Sequence, residues 1–238
     1  MDGMDGRSPD ITTGQVVGRT RRGDAKRDRI VLTALRLFAE RGYDAARAED
    51  IARAAGIAKG SVFQHFGTKE ALFLAAYKRA VSSFATYLDA PEDVRRRGFF
   101  ATLLYWLERT EDMLREDWAP YRVALLGNYG TDLNVRREIT RFLKTEDPYG
   151  MTAFVRWGRT LGEVREDIDE EMIVSILEWT VDRFQDALLT EELDPGLFRR
   201  HGIDEGRKQA RIAQFLDILK RAIGAQPKPR AARPRRRR

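Results

Sequence analysis

Ile30, Ala34, Leu37 and Phe38 recur at i, i+4, i+7 and i+8 and put one apolar stripe on a helix over about 25–41. Gly42 then stands where a left-handed cap would stop it. Two shorter patterns follow. Ile51, Ala52 and Ala55 set small and apolar residues at helical spacing over about 47–55, Gly56 permits a tight reversal, and Ile57, Val62 and Phe66 give a helix over about 58–65 its own apolar side. Thr68 fits the N-cap of a longer helix whose pattern continues through Leu72, Ala75 and Ala76 to Tyr87, before Pro91. Further helical patterns cover 92–116, with Phe99, Leu103, Trp106 and Leu107 on one face, then 118–129 and 133–144. Pro148 and Gly150 interrupt the pattern, which resumes from Met151 to Leu161. Asp169 fits the N-cap of a helix over 170–189, and a last helix covers 205–223. All these patterns have the helical period, so the fold class is all-α.

The segment from Ile51 to Phe66 has the layout of a DNA-reading helix-turn-helix: two short helices about a glycine turn. Opposite the apolar side of the second helix lie Lys59, Gly60, Ser61, Gln64 and His65, which supply donors, acceptors and a glycine permitting close approach. Ser61 and Gln64 are the expected base readers, and Gln64 can take adenine by a bidentate bond. Lys59 and His65 suit phosphates, which fix register without reading sequence. For His65 the competing reading is a histidine closing the end of its helix beside Phe63 and Phe66.

With its flanks the segment resembles the tetracycline-repressor (TetR) family of bacterial transcriptional regulators from about Arg29 to Lys78. The matching blocks run from Arg29 to Tyr43, then Asp50-Ile51-Ala52, Ala55-Gly56-Ile57, Lys59-Gly60-Ser61, Gln64-His65-Phe66 and Lys69-Glu70-Ala71-Leu72. The resemblance implies a recognition helix in the major groove, with the N-termini of the preceding and following helices on the phosphate backbone. It adds Lys69 to the phosphate contacts, and Arg47 as a residue that takes a phosphate or reaches a base. The expected DNA-binding set is therefore Arg47, Lys59, Gly60, Ser61, Phe63, Gln64, His65 and Lys69. Three positions depart from the family's pattern. Phe63 stands where the family usually has a tyrosine that meets a phosphate, and Ala58 stands where a serine often caps the recognition helix. Ala46-Arg47 replaces the usual threonines at the start of the first short helix, leaving Asp44 to cap it.

Four segments are expected: a disordered N-terminal arm (1–24), the helix-turn-helix domain (25–67), a helical effector-binding and dimerisation domain (68–225) and a disordered basic tail (226–238). All four tryptophans lie beyond the head. Core packing is the ordinary use of such aromatics. The resemblance implies a small effector held between helices of this domain, and Trp106, Trp118, Tyr121, Phe154, Trp157 and Phe184 are the expected lining, with Arg122 and Asn128 as polar candidates. The last two helices carry apolar residues enough for two contacts, one inward and one outward. Ile176, Trp179, Leu188, Ile212, Phe215, Leu216 and Leu219 are assigned to a four-helix interface between two copies, the family's mode of dimerisation.

Composition narrows the function classes. Hydrophobic residues at 42% and charged residues at 34%, with eight prolines among 238 residues, describe a globular chain with a heavily charged surface. Cysteine is absent and the two histidines, His65 and His201, are far apart, so no metal site or cofactor is expected. No apolar run has the length of a membrane span and no secretory leader is recognisable, which points to the cytoplasm. Lys228, Arg230, Arg233 and Arg235 to Arg238 carry more than the whole net charge of +6, in a tail broken by Pro227, Pro229 and Pro234 that could tether the chain to phosphates. Arg19, Arg21, Arg22, Lys26, Arg27 and Arg29 form a second basic cluster just before the first helix, where a flexible arm could reach an adjacent groove or phosphate. The reading is a ligand-responsive transcriptional regulator, a repressor binding a palindromic operator as a homodimer and released by a small apolar or aromatic effector. An activator of the same fold and a nonspecific DNA-coating protein are the alternatives. An enzyme is disfavoured, since no nucleophile lies beside a histidine and Asp167 and Asp169 suit a helix start.

Overall fold

A computed structural model of the chain describes residues 21–109, 111, 112, 115, 117–130, 132–189 and 196–226. Helix α1 (Arg21–Ala45) is interrupted at Gly42, where the backbone leaves helical geometry (φ 80°, ψ 170°). It starts a turn earlier than its apolar stripe suggested, so residues 21–24, expected in a disordered arm, are helical. The rest of that arm, 1–20, and the tail residues 227–238 lie outside the described residues. Helices α2 (Ala48–Ala54) and α3 (Lys59–Phe66) are joined through Gly56 at φ 65°, a left-handed conformation that a side chain would strain.

Helix α4 (Lys69–Ser83) opens on Thr68, whose hydroxyl accepts the Ala71 N–H at 3.1 Å. The expected continuous rod to Tyr87 is not found. The hydroxyls of Ser82 and Ser83 donate to the carbonyls of Lys78 and Ala80 at 2.8 and 2.6 Å. Such bonds compete with the helix for its own carbonyls, and the chain goes on in a separate short turn, α5 (Ala85–Leu88). The helix expected over 92–116 is also divided, into α6 (Glu92–Arg95) and α7 (Phe99–Glu108). Gly98 between them has φ 103°, and the Glu163 carboxyl fills the space a side chain there would need while accepting the Phe100 N–H at 3.4 Å.

Helices α8 (Trp118–Tyr129), α9 (Leu133–Glu146), α10 (Met151–Thr160), α11 (Glu170–Leu189) and α12 (Glu205–Ile223) fall where periodicity put them. Aspartates serve the starts of all five: Asp117, Asp132, Asp147, Asp169 and Asp204 each accept backbone N–H groups of the first turn at 2.9–3.2 Å. Among the described residues no extended strand occurs, and Val164 and Gly224 form an isolated antiparallel bridge.

Two compact units divide the described residues, one from Met1–Pro91 and Tyr105–Ala153, the other from Glu92–Leu104 and Phe154–Arg238. In the first, α1 packs on α4 and α8, and α4 packs on α8 and α9. Ile30, Phe38, Leu72, Phe73, Tyr77, Val123, Ile139 and Phe142 form its core, with Phe38 and Phe73 meeting edge to face at 5.0 Å. This division by packing differs from the boundary expected at 67/68, because α4 closes the core of α1. In the second unit Phe99 stacks on Phe154 at 4.2 Å and Phe184 on Phe215 at 4.0 Å.

Candidate nucleic-acid interface

Burial settles which side of α3 is free. Ile51, Ala52 and Ala55 of the α2 segment and Val62 of α3 are buried, Ile57 and Phe66 half-buried, and Lys59, Gly60, Phe63, Gln64 and His65 exposed. Lys59, Gly60, Phe63 and Gln64 stand at i, i+1, i+4 and i+5, so they share one outward face. A side chain at Gly60 would meet nothing within 4 Å, which leaves bare backbone on that face. Ser61 departs from expectation: it is half-buried, and its hydroxyl accepts the Lys26 ammonium of α1 at 3.2 Å. The residue expected as a base reader is instead turned to α1, and Lys26, read as part of the basic cluster, is its partner. The neighbouring Arg27 lies over the Phe66 ring, 5.1 Å from its centroid.

The helix starts of the head differ from those elsewhere. Arg47 and Ala58 occupy the N-cap positions of α2 and α3, and neither side chain makes a capping hydrogen bond. Asp44 does not cap α2, contrary to expectation, because Arg47 stands at that position. The Asp50 and Ser61 N–H groups donate to the Arg47 and Ala58 carbonyls at 3.0 and 2.9 Å, so such starts offer an anion the positive end of the helix dipole and the N–H groups that precede these two. Lys59 on α3 pairs with Glu49 of α2, and this ammonium holds the Glu49 carboxyl below the usual carboxylate range. Asp50 binds Arg41 at 2.9 Å and Arg53 at 3.0 Å, tying α1 to α2. Lys69 is committed to the fold: its ammonium donates to the Asp44 carbonyl at 3.0 Å and sits 4.6 Å from the centre of the Tyr43 ring. Burial and the adjacent Glu70 carboxylate push the Tyr43 hydroxyl's pKa up, so it stays protonated and donates to Glu70. His65 is exposed in the last turn of α3, its ring 6.3 Å from Phe66.

Among the described residues no group of three acidic or histidine side chains could hold a metal, and no helix is long and apolar enough to cross a membrane. A helix-turn-helix with a polar, glycine-relieved outer face and two uncapped helix starts defines a DNA-binding regulator. The family model described as "Bacterial regulatory proteins, tetR family" matches residues 30–76, which span α1 to α4. The transcriptional repressor AcnR of Corynebacterium efficiens is 30% identical over 171 residues, 72% of this chain and 86% of that one. The transcriptional activator FasR of Mycolicibacterium smegmatis is 30% identical over 131 residues, 51% of this chain and 58% of that one. A solved structure of a TetR-family regulator from a Rhodococcus species superposes with a TM-score of 0.62 at 17% identity, covering 83% of this chain and all but 1% of its own, a likeness of fold. The chain belongs to the TetR family of transcriptional regulators, whose members act on DNA and not as enzymes.

The effector candidates fall into both units. Trp106, Trp118, Tyr121, Arg122 and Asn128 lie in the first, and Phe154, Trp157 and Phe184 in the second. Trp106 is buried with its indole N–H donated to the Leu88 carbonyl at 2.8 Å, and Tyr121 is buried. Trp118 is 47% exposed at the start of α8. Arg122 is exposed and donates to the Ala39 carbonyl at 2.8 Å, near the end of α1 before Gly42, so it serves as a helix closure from another element. Asn128 accepts the Tyr77 hydroxyl at 2.9 Å and links α8 to α4.

The interface candidates need a correction. Leu188, Ile212, Leu216 and Leu219 are buried within the protomer and cannot meet a second copy, and Phe184 and Phe215 stack on each other. Trp179 is 67% exposed, and the other large apolar side chains exposed on α11 and α12 are Met172 at 50% and Ile218 at 61%. Ile176 and Phe215 are half-buried.

Proposed function

We propose that this regulator is a cytoplasmic homodimer that represses transcription by holding a palindromic operator and lets go when a small, apolar or aromatic effector binds its helical region. The outward face of α3 carries the reading: Lys59, bare backbone at Gly60, Phe63 and Gln64 exposed together beside helix starts with no side-chain cap. Gln64 reads adenine by a bidentate bond, while Arg47, Lys59, His65 and the first-turn N–H groups of α2 and α3 take phosphates. Met172 and Trp179 of α11 with Ile218 of α12 supply the apolar face on which two copies meet. A two-fold dimer sets its recognition helices about 34–36 Å apart, one helical turn of duplex.

Repression is favoured over activation by the similarity to AcnR across most of both chains; the activator FasR is matched over a shorter share. The effector class rests on the aromatic side chains beyond the head, with Phe154 and Trp157 of the second unit the proposed lining. Arg122 and Asn128 have structural partners and are set aside from that lining. Effector binding favours a DNA-incompetent state, and a typical coupling of about 1–3 kcal/mol weakens the operator complex roughly 5- to 150-fold.

The test is selection from random duplexes by the purified protein, with and without residues 227–238, at two salt concentrations. One palindrome enriched by both forms supports the reading and supplies the probe for effectors that quench tryptophan fluorescence. Binding that needs the tail and enriches no palindrome would make the chain a DNA-coating protein.

A further inference from the structure

Five positions of α3 face solvent, and Phe63 is the apolar one among them, 43% exposed. Its ring carries no donor or acceptor, so it cannot hydrogen-bond a phosphate oxygen or the polar edge of a base. Lys59, Gly60 and Gln64 share its face, and the space beside Gly60 is open to 4 Å. Long helical side chains lean toward the N-terminus and cover the preceding turn. Phe63 stands three residues after Gly60 and one before Gln64, so the exposed ring, the open Gly60 position and the Gln64 side chain follow one another along the same solvent-facing side of α3. Among the base edges in the major groove, the C5-methyl of thymine is the apolar feature; the others are hydrogen-bonding groups.

We propose that Phe63 is a specificity-determining residue that recognises a thymine through its C5-methyl group, next to the base pair read by Gln64. The inference rests on the DNA-reading role of α3 given above. Each half-site then carries an A·T pair at which methyl contact, and no hydrogen bond, sets the preference.

The test uses the full chain and the palindrome it selects. Each thymine of a half-site is replaced in turn by deoxyuridine, which removes the methyl and leaves the pairing edge intact. One position per half-site is expected to weaken binding about fourfold, the loss for one buried methyl-sized group, and symmetric replacement about sixteenfold. Phe63→Ala should bind the thymine and deoxyuridine duplexes equally while keeping its helical content and its salt dependence, since no phosphate contact is lost. Two results would overturn the proposal: every thymine tolerating replacement in the parent protein, or a methyl effect that persists in Phe63→Ala. Absence of any selected palindrome would instead defeat the DNA-reading role, a separate failure.

Discussion

The outer face of α3 and the outer face of α11 and α12 are both exposed helical surfaces, and their chemistry is opposite. On α3 the exposed set is Lys59, Gly60, Phe63, Gln64 and His65, mostly groups that suit a polyanion and its base edges. On α11 and α12 it includes Met172, Trp179 and Ile218, large apolar groups whose exposure costs free energy until something covers them. The same contrast holds at the helix starts. Thr68, Asp117, Asp132, Asp169 and Asp204 satisfy the first turns of α4, α8, α9, α11 and α12, while α2 and α3 begin without such a side chain. A start without a side-chain cap keeps the positive end of its helix dipole open to an anion.

The contrast breaks most sharply at Trp179. Trp179→Glu puts a charge in the centre of the proposed apolar face, and dimer formation and binding to the full palindrome should both fall by a hundredfold or more, with the helical circular dichroism unchanged; sedimentation and titration read both. Leu216→Glu, at a buried position on the other side of α12 from Ile218, should instead unfold the chain, because an unpaired buried carboxylate costs several kcal/mol. On the polar face, Gln64→Ala should cost about 1–3 kcal/mol on the selected site and relax preference at one base pair. Equal loss on every sequence would assign Gln64 to the backbone.

The sequence made α3 readable and left α11 and α12 half-read for a physical reason. A glycine turn between two short apolar patterns admits few arrangements, so Val62 inside and Gln64 outside followed from spacing. In α11 and α12 apolar residues occupy more than one side, and periodicity cannot say which stripe faces inward. That is why Leu188, Ile212, Leu216 and Leu219, expected outward, are buried, while Met172 and Ile218 are the exposed apolar residues. Ser61 was misplaced because its partner, Lys26, comes from a basic cluster whose helical start carries no apolar signal. The division at Gly98 was hidden because it depends on Glu163, distant in sequence. The role of Arg122 was hidden in the same way, since the Ala39 carbonyl it closes belongs to another helix.

Two smaller effects sharpen the account of the head. Thr68→Ala removes the hydroxyl that accepts the Ala71 N–H and should lower stability by about 0.5–2 kcal/mol, read by thermal unfolding. Glu49→Gln releases Lys59 from its partner and removes a negative charge beside the phosphates. The Glu49 pKa lies below the ordinary range, so the pair is intact at neutral pH and is lost only as pH falls through that lowered value. The variant should bind DNA up to about fivefold tighter, the ceiling for an exposed ion pair, with a salt dependence steeper by up to about one ion.

The central claim is that two copies, joined through Met172, Trp179 and Ile218, set two α3 helices on one face of the duplex. Sedimentation of the protein on its selected palindrome, with half-sites at their natural spacing and then moved apart by about five base pairs, half a helical turn, tests it most directly. The account expects two chains per duplex at the natural spacing and a collapse of affinity at the altered one. A single bound chain, or affinity indifferent to the spacing, would contradict it.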